Sequence, residues 1–230
     1  HNHNVAMTGG GESGTYAVIL DYLDNKGTLS GVGPNYKRYS IRSNNTVEKG
    51  IFKAGSYLFY SHTDQTALNV TDRGGFAGGN PAMIIKMLQL IPTMKVTDPD
   101  SPTGWGTYDT NITGEDYSLN IIGVNNLLDD NVTVDRMVAS GFTEVDFGKL
   151  LNLNNQSLKY RMNLSYDKTS VHDFRWIPEF VLSTFYTNSV ASLDEGWREY
   201  THGLIENLLN YSLKTDNFKL DALLGQMFQA

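Results

Sequence analysis

The stretch 15–42, TYAVILDYLDNKGTLSGVGPNYKRYSIR, decides the fold because it has the pattern of one antiparallel hairpin. Residues 16–23 combine β-branched, aromatic and aliphatic side chains with no Gly or Pro, as strands do. Residues 24–27, DNKG, tolerate positive φ, so the chain can reverse there. Residues 28–32 return and 35–41 extend again. We therefore predict a β-hairpin at the centre of the fold.

Composition bounds the protein class. The 230 residues carry a net charge of −7 and no cysteine, which excludes disulfides and thiolate metal sites. The length fits one large domain or two small ones. Scattered basic residues argue against nucleic acid as the main partner. Because no apolar run reaches the ~18 residues of a spanning helix, we expect no membrane partner.

Further strands are indicated by short runs of β-forming residues along the chain. Residues 157–166 alternate apolar and polar side chains, which is typical of a half-buried strand. The other predicted strands lie at 51–53, 57–62, 82–91 and 117–124, with a turn at 54–56 and a Gly-rich loop at 72–81.

The C-terminal quarter changes to a helical period. Ser192 and Glu195 match a capping box, in which each side chain caps the other's backbone N–H. The apolar stripe that follows at helical spacing contains Leu193, Trp197, Tyr200, Leu204, Leu208 and Tyr211. A second helix is predicted after Asp216. Its apolar side chains either return to the same domain or dock into a neighbouring copy.

These patterns predict an α+β, mainly β, fold: an antiparallel β-sandwich flanked by helices, with C-terminal helices. The chain divides into a polar, frayed N-terminal segment at 1–14, the sandwich domain at 15–190, and the C-terminal helices at 191–230, which are possibly inter-subunit.

Histidines supply three weak candidate sites. His1 and His3 have the spacing of two metal ligands on a strand, but no carboxylate or Cys stands beside them. His62 with Asp64, and His172 with Asp173, are candidate acid–base pairs. No nucleophile accompanies either pair, so we interpret each as a polar surface group.

Acidic residues supply the remaining candidates. Asp98, Asp100 and Asp109 are oxygen donors of the kind that Ca²⁺ uses, but their spacing is not that of an EF-hand. The candidate catalytic acids are Asp21, Asp24, Glu115 and Asp116, and no recognisable nucleophile–base spacing joins them. The sequence therefore predicts that the protein is no enzyme, with no catalytic residues, no metal and no cofactor.

The order of these features resembles the polyhedrins of cypoviruses, insect viruses. The features that match are the aromatic strand at 16–23 with its Asp/Gly turn, then Asn35, Tyr36-Lys37 and Ile41, the Gly-rich loop before an Ile-rich strand closed by Pro at 74–92, and a late helix with Trp197, Glu199, Leu208 and Asn210-Tyr211. Because only fourteen polar residues precede the first predicted strand, we expect the longer N-terminal arm of that family to be missing or much reduced, and we hypothesise that the tail at 216–230 replaces it.

The resemblance implies a structural protein that self-assembles into the crystalline matrix of viral occlusion bodies. It implies homotrimers packed into a lattice, virus particles as partners, a possible bound nucleotide, and a location in the cytoplasm of the infected host cell. Thirteen tyrosines fit a matrix that dissolves in alkali, because tyrosine ionises near pH 10 and like charges then repel.

The alternative is a secreted or cell-surface β-sandwich that binds carbohydrate or mediates adhesion. It would use exposed Trp105, Tyr108 and the Asp-rich loop between 98 and 109. The two functions differ in a simple observable, since the first predicts large assemblies and the second a monomer with affinity for glycans.

Overall fold

The computed structural model describes residues 1–27, 34–66, 94–106, 120–182 and 187–230. They form one eight-stranded antiparallel sheet and one two-stranded sheet. The eight strands are, in order across the sheet, β1 (Asn2–Gly11), β2 (Gly14–Lys26), β3 (Asn35–Lys49), β4 (Phe52–Thr66), β5 (Asp129–Asp146), β6 (Gln156–Ile177), β9 (Ser192–Lys214) and β10 (Lys219–Gln229). The small sheet pairs β7 (Phe180–Val181) with β8 (Thr187–Asn188).

The predicted mainly β, antiparallel architecture is confirmed. The hairpin at 15–42 exists as β2 and β3, which pair from Lys26 with Asn35 to Gly14 with Val47. The predicted reversal at 24–27 is wrong in position, because residues 24–26 continue β2 and still pair with β3. The alternating segment 157–166 lies inside β6, between β5 and β9. The alternating pattern predicts this strand correctly because its apolar and polar side chains point to opposite faces of the sheet, which have different environments.

Two predictions on the N-terminal half are wrong. Residues 1–14 are not a frayed segment, since Asn2–Gly11 pair with β2 over their full length. The predicted turn at 54–56 lies within β4, where Gly55 pairs with Thr46 on one side and Phe142 on the other. In both places a neighbouring strand supplies the hydrogen bonds that a Gly-rich segment would otherwise lack.

The predicted C-terminal helices are also wrong. Residues 192–214 form β9 and residues 219–229 form β10. The helical stripe splits in the sheet, because Trp197 and Tyr211 fall on one face and Tyr200 and Leu208 on the other. Glu195 does not close a capping box; its carboxylate contacts His172 of β6 instead. Tertiary pairing overrides the local pattern here.

The predicted strand at 117–124 is wrong in its described part, residues 120–124, where a helix begins. Helix α1 (Ile121–Leu127) begins at the N-cap Asn120, whose side-chain oxygen accepts a hydrogen bond from Gly123 N at 3.0 Å. Asn is a favoured N-cap because it satisfies an otherwise unpaired amide of the first turn. A second short helix, α2 (Phe147–Leu150), is capped in the same way by Asp146.

Several predictions lie outside the described residues. They are the returning segment at 28–32, the Gly-rich loop at 72–81, the strand at 82–91, the first part of the predicted strand at 117–124 (residues 117–119), and the residues Tyr108, Asp109, Glu115 and Asp116.

The two ends of the sheet differ in their connections. At one end, which we call the short-connection end, adjacent strands are joined through residues 12–13, 50–51, 147–155 and 215–218. At the opposite, long-connection end they are joined through residues 27–34, 67–128 and 178–191. The described candidate residues Asp98, Asp100 and Trp105 therefore belong to the long-connection end.

Among the described residues, the buried apolar core is small and lies beside the sheet at the long-connection end. Ile121 and Val124 of α1 pack with Phe180 and Leu182, and Trp105 lies partly buried against them. Most large apolar side chains of the sheet itself are not in this core.

Candidate functional site

The eight-stranded sheet has two chemically different faces. Successive residues of a strand point to opposite faces, and directly paired residues share a face. We call the face that carries Leu20, Ile41 and Tyr60 the apolar face, and the face that carries Asp21, Ser40 and Ser61 the polar face.

The apolar face exposes most of its large hydrophobic side chains. Within the described part of this sheet, every exposed large hydrophobic residue lies on that face except Tyr200, Leu223 and Met227. Even in the middle of the sheet, between paired strands, Leu58 is 42% and Leu164 is 45% exposed. Contiguous apolar patches of this extent are rare on proteins that are surrounded by water.

Charged side chains on the apolar face are confined to its two ends. No Asp, Glu, Lys or Arg points from this face within 14–22, 39–47, 52–60, 137–145, 156–166 or 201–213. We call this central band the uncharged zone. Lys49 stands beyond it at the short-connection end, and the other charged residues of this face stand at the long-connection end.

Tyrosines border the uncharged zone at the long-connection end. Tyr22 and Tyr39 pair directly, and their ring centroids are 5.0 Å apart. Tyr60 follows on β4, and its hydroxyl donates a hydrogen bond to Asp135 Oδ1 at 2.7 Å. Burial raises the pKa of Tyr22, and the hydrogen bond to Asp135 raises that of Tyr60. The rings thus separate apolar from charged positions.

His62 joins two carboxylates just beyond these tyrosines. Its Nδ1 lies 2.8 Å from Asp135 Oδ1 and its Nε2 lies 3.3 Å from Asp64 Oδ1. The hydrogen bond to Asp135 is the main reason that the pKa of His62 is raised. Burial opposes ionisation of Asp135, but the hydrogen bonds from Tyr60 and His62 outweigh it and lower its pKa. The pair His62–Asp64 was predicted; Asp135, from another strand, was not.

Further along the same end, β6 and β9 carry two more ion pairs. Lys168 Nζ lies 3.0 Å from Glu199 Oε1, and His172 Nε2 lies 2.8 Å from Glu195 Oε1. The hydrogen bond between Lys168 and Glu199 raises the pKa of the lysine and lowers that of the glutamate. The His172 ring also stacks on Trp197, with centroids 3.8 Å apart.

The polar face carries ion pairs from one end of the sheet to the other. All six described arginines lie on it. Arg136 makes a bidentate contact with Asp167, at 3.2 and 2.7 Å, and this hydrogen bonding lowers the pKa of the carboxyl. The other pairs of this face, among the strand residues that the structure describes, are Asp21–Arg42, Glu48–Lys53, Asp130–Arg175, Glu144–Lys159, Glu144–Arg161, Asp173–Arg198 and Asp221–Lys219.

Asp21 is the most heavily coordinated carboxylate of this face. It accepts hydrogen bonds from Asn4, from Ser40 Oγ at 3.3 Å and from Arg42 Nη2 at 3.2 Å. The bond from Asn4 is the largest cause of its lowered pKa. Asp21 therefore ties together three strands as an ionised acceptor, which does not suit a general acid.

The other predicted site residues are not brought together. His172 and Asp173 project from opposite faces of β6, and Asp173 pairs with Arg198. His3 stacks on Tyr22. Asp98 Oδ1 accepts a hydrogen bond from Asp100 N at 3.2 Å, which places both in one turn. Trp105 is not the exposed ring that carbohydrate binding was predicted to use, because it packs against the small core.

Within the described ranges, no group of three or more His, Cys, Asp or Glu side chains could hold a metal ion. No helix of the described residues is long and apolar enough to cross a membrane.

Comparison with known proteins gives a likeness of fold. No family model and no curated protein matches the sequence. The solved structures that match include the RagAB peptide transporter, with 15% identity and a TM-score of 0.65, and the RagAB peptide importer in the "closed-closed" state, with 15% identity and a TM-score of 0.66. Each match covers 99% of this chain, and this chain spans 24% of the length of each of those chains.

Proposed function

We propose that the eight-stranded sheet lies in a lipid membrane, with its apolar face against the lipid and its polar face lining an aqueous passage, as part of a transport protein. The observation that carries this proposal is the uncharged zone, which crosses every central strand on one face while the other face is charged throughout. Lipid would cover the apolar side chains that water now meets, and each Å² removed from water contributes roughly 25 cal/mol.

The dimensions of the uncharged zone support a membrane setting. Its stretch on β4, from Phe52 to Tyr60, is nine residues long. A tilted strand needs about 9–11 residues to cross the hydrocarbon layer. The strands themselves extend farther, since β6 has 22 residues and β9 has 23. The excess carries the charged groups that would stand in the water and headgroup layers.

The aromatic border and the connections support the same setting. Tyrosines favour the boundary between hydrocarbon and water, because the ring is apolar and the hydroxyl is polar. Membrane-spanning sheets of antiparallel strands typically have short turns on one side and long loops on the other. Tyr22, Tyr39 and Tyr60 would mark the boundary on the side of the long connections.

The assignment to transport is supported by the likeness of fold to the RagAB peptide transporter. At 15% identity this match indicates a similar fold. The ion pairs of the polar face also support this assignment. A surface of paired charges suits the passage of polar solutes, because each charged group keeps its neighbouring counter-ion after the solute has left.

Site-directed labelling tests the proposal directly, because the chain has no cysteine of its own. Leu164→Cys places a thiol on the apolar face, and the matched variant Ser165→Cys places one on the polar face one residue away. Each thiol is coupled to an environment-sensitive fluorophore in the membrane-inserted protein. We expect a lipid-soluble nitroxide to quench the label at 164 and aqueous iodide to quench the label at 165.

Equal quenching of both labels by iodide would overturn the membrane setting. Quenching by the nitroxide at 165 and not at 164 would reverse the assignment of the two faces.

The occlusion-body function, with its trimers, virus particles and nucleotide, stays a prediction, as do the two-sheet sandwich with flanking helices and the cytoplasmic location. Expression in insect cells distinguishes the occlusion-body hypothesis from the membrane proposal. Micrometre crystals that dissolve only above about pH 10 would support the matrix function. Membrane-associated protein without crystals would support the proposal made above.

A further inference from the structure

Arg38 of β3 is an exception among the arginines of the polar face. The other five described arginines each have a carboxylate oxygen within 4.0 Å. Arg38 forms no ion pair within the described ranges, and its Nε is sealed from solvent without a hydrogen-bond acceptor. A guanidinium that is partly withdrawn from water without a counter-ion is costly, so such a group calls for an explanation.

The strand positions around Arg38, all of them described, offer it no free carboxylate. It pairs directly with Leu23 on one side and with Thr63 on the other. Asp21 is the one carboxylate at a neighbouring position on this face, and it already accepts hydrogen bonds from Asn4, Ser40 and Arg42.

The remaining neighbours carry groups that can donate hydrogen bonds. On the polar face, the positions around Arg38 whose donors are not already given to Asp21 are occupied by Asn25, Tyr36, Ser61, Thr63 and Gln65. Hydroxyl and amide groups can complete the shell of an oxyanion that a guanidinium holds. Ser61 and Thr63 are buried, which lowers the local dielectric and strengthens such a contact.

We propose that Arg38 and its ring of hydroxyl and amide neighbours form a binding site for an oxyanion, a carboxylate or a phosphate group, near the long-connection end of the polar face. The side chain is partly exposed, so an anion in the adjoining water can reach its guanidinium. The site goes beyond the membrane setting and does not depend on it, because these residues share one face in either case.

Arginine-selective nitrogen NMR tests the site on the detergent-solubilised full chain. The chain has seven arginines, so the Nε–H spectrum holds few signals. Arg38→Lys identifies the Arg38 signal, because it keeps the charge and removes the Nε–H. Sodium acetate and sodium phosphate are then titrated separately at constant ionic strength, and the Arg161 signal serves as an internal control.

We expect the Arg38 signal to move and saturate with a dissociation constant on the order of 1 mM, while the Arg161 signal stays in place. Saturation by acetate alone assigns a carboxylate ligand, and saturation by phosphate alone assigns a phosphate ligand; saturation by both assigns a general oxyanion site. Arg38→Gln should weaken the interaction at least about tenfold when followed by calorimetry, whereas Arg161→Gln should leave it unchanged.

The proposal is overturned if neither anion produces a saturable shift at Arg38. It is also overturned if Arg38 and Arg161 shift together in proportion to anion concentration, which would indicate charge screening. The other arginine signals report whether each variant is folded, and the labelling of residues 164 and 165 is unaffected by either result.

Discussion

The two faces of the eight-stranded sheet are built on the same strands, yet they hold their charged residues differently. On the polar face, carboxylates and arginines pair across strands from one end of the sheet to the other. Two examples are the pairs Asp21–Arg42 and Asp167–Arg136. On the apolar face, charged groups such as His62 and Glu199 stand only outside the uncharged zone. One strand can therefore carry two chemically different surfaces at once, because its successive side chains point to opposite faces.

A charge placed inside the uncharged zone should have the largest effect. If the proposed membrane setting holds, Leu164→Arg should destabilise the protein in lipid vesicles by about 2–4 kcal/mol, because a guanidinium that faces lipid loses its hydration. Ser165→Arg, on the polar face, should change stability by about 0.5 kcal/mol or less. Urea unfolding from lipid vesicles measures both. Equal costs at the two positions would erase the distinction between the faces.

Replacing a glycine by alanine on each face should give losses of stability of intermediate size and so compare the packing of the two faces. A Cβ on Gly55 would point from the polar face into the Phe142 ring, which Arg161 covers at 3.8 Å, and would lie 3.1 Å from Asn45 O. We expect Gly55→Ala to cost about 1–3 kcal/mol through overpacking.

Gly141 of the apolar face is the matched control. It lines a hollow of about 370 Å³, and a Cβ there would meet only Gly55 O, at 3.3 Å. Gly141→Ala should therefore be tolerated far better than Gly55→Ala in the same unfolding assay. Similar costs for the two variants would show that backbone effects, rather than side-chain packing, decide both.

The smallest expected effect is a pH dependence at His62. Because Asp135 raises the pKa of this imidazole, its contribution to stability is full below the unfolded pKa of about 6.5 and is lost as pH rises through the raised folded value. Unfolding midpoints between pH 5 and 9 should therefore fall more steeply for the wild type than for His62→Gln. Parallel profiles would mean that the contacts with Asp135 and Asp64 contribute nothing measurable.

Strands with a clear alternation could be predicted from the sequence. Residues 157–166 and the hairpin at 15–42 carry enough local information, because their side chains alternate and a turn stands between the hairpin's strands. The strand at 192–214 could not be recognised, since its apolar residues occupy both faces and mimic a helical stripe. Its pairing with β6 is a non-local fact.

The contacts of the charged groups divide in the same way into local ones, which the sequence predicts, and non-local ones, which it does not. The proximity of His62 to Asp64 could be predicted because the two residues are neighbours on one strand face. The contact between His62 and Asp135 joins residues 73 positions apart, and no spacing rule finds it. That no described strand residue beside Arg38 offers it a free carboxylate likewise becomes visible only when the pairing of β2, β3 and β4 is known.

The unequal connections have a consequence for how this chain can change over time. The segment between β4 and β5 runs from residue 67 to 128, whereas the one between β1 and β2 comprises residues 12 and 13. Loop-closure entropy grows only logarithmically, so the longer segment costs roughly 3 kcal/mol more than the shorter one. Insertions at that end are therefore cheap, while a single inserted residue within a strand would exchange the two faces. The connections at the long-connection end can therefore lengthen and vary in sequence during evolution, while the pairing register of the strands stays the same.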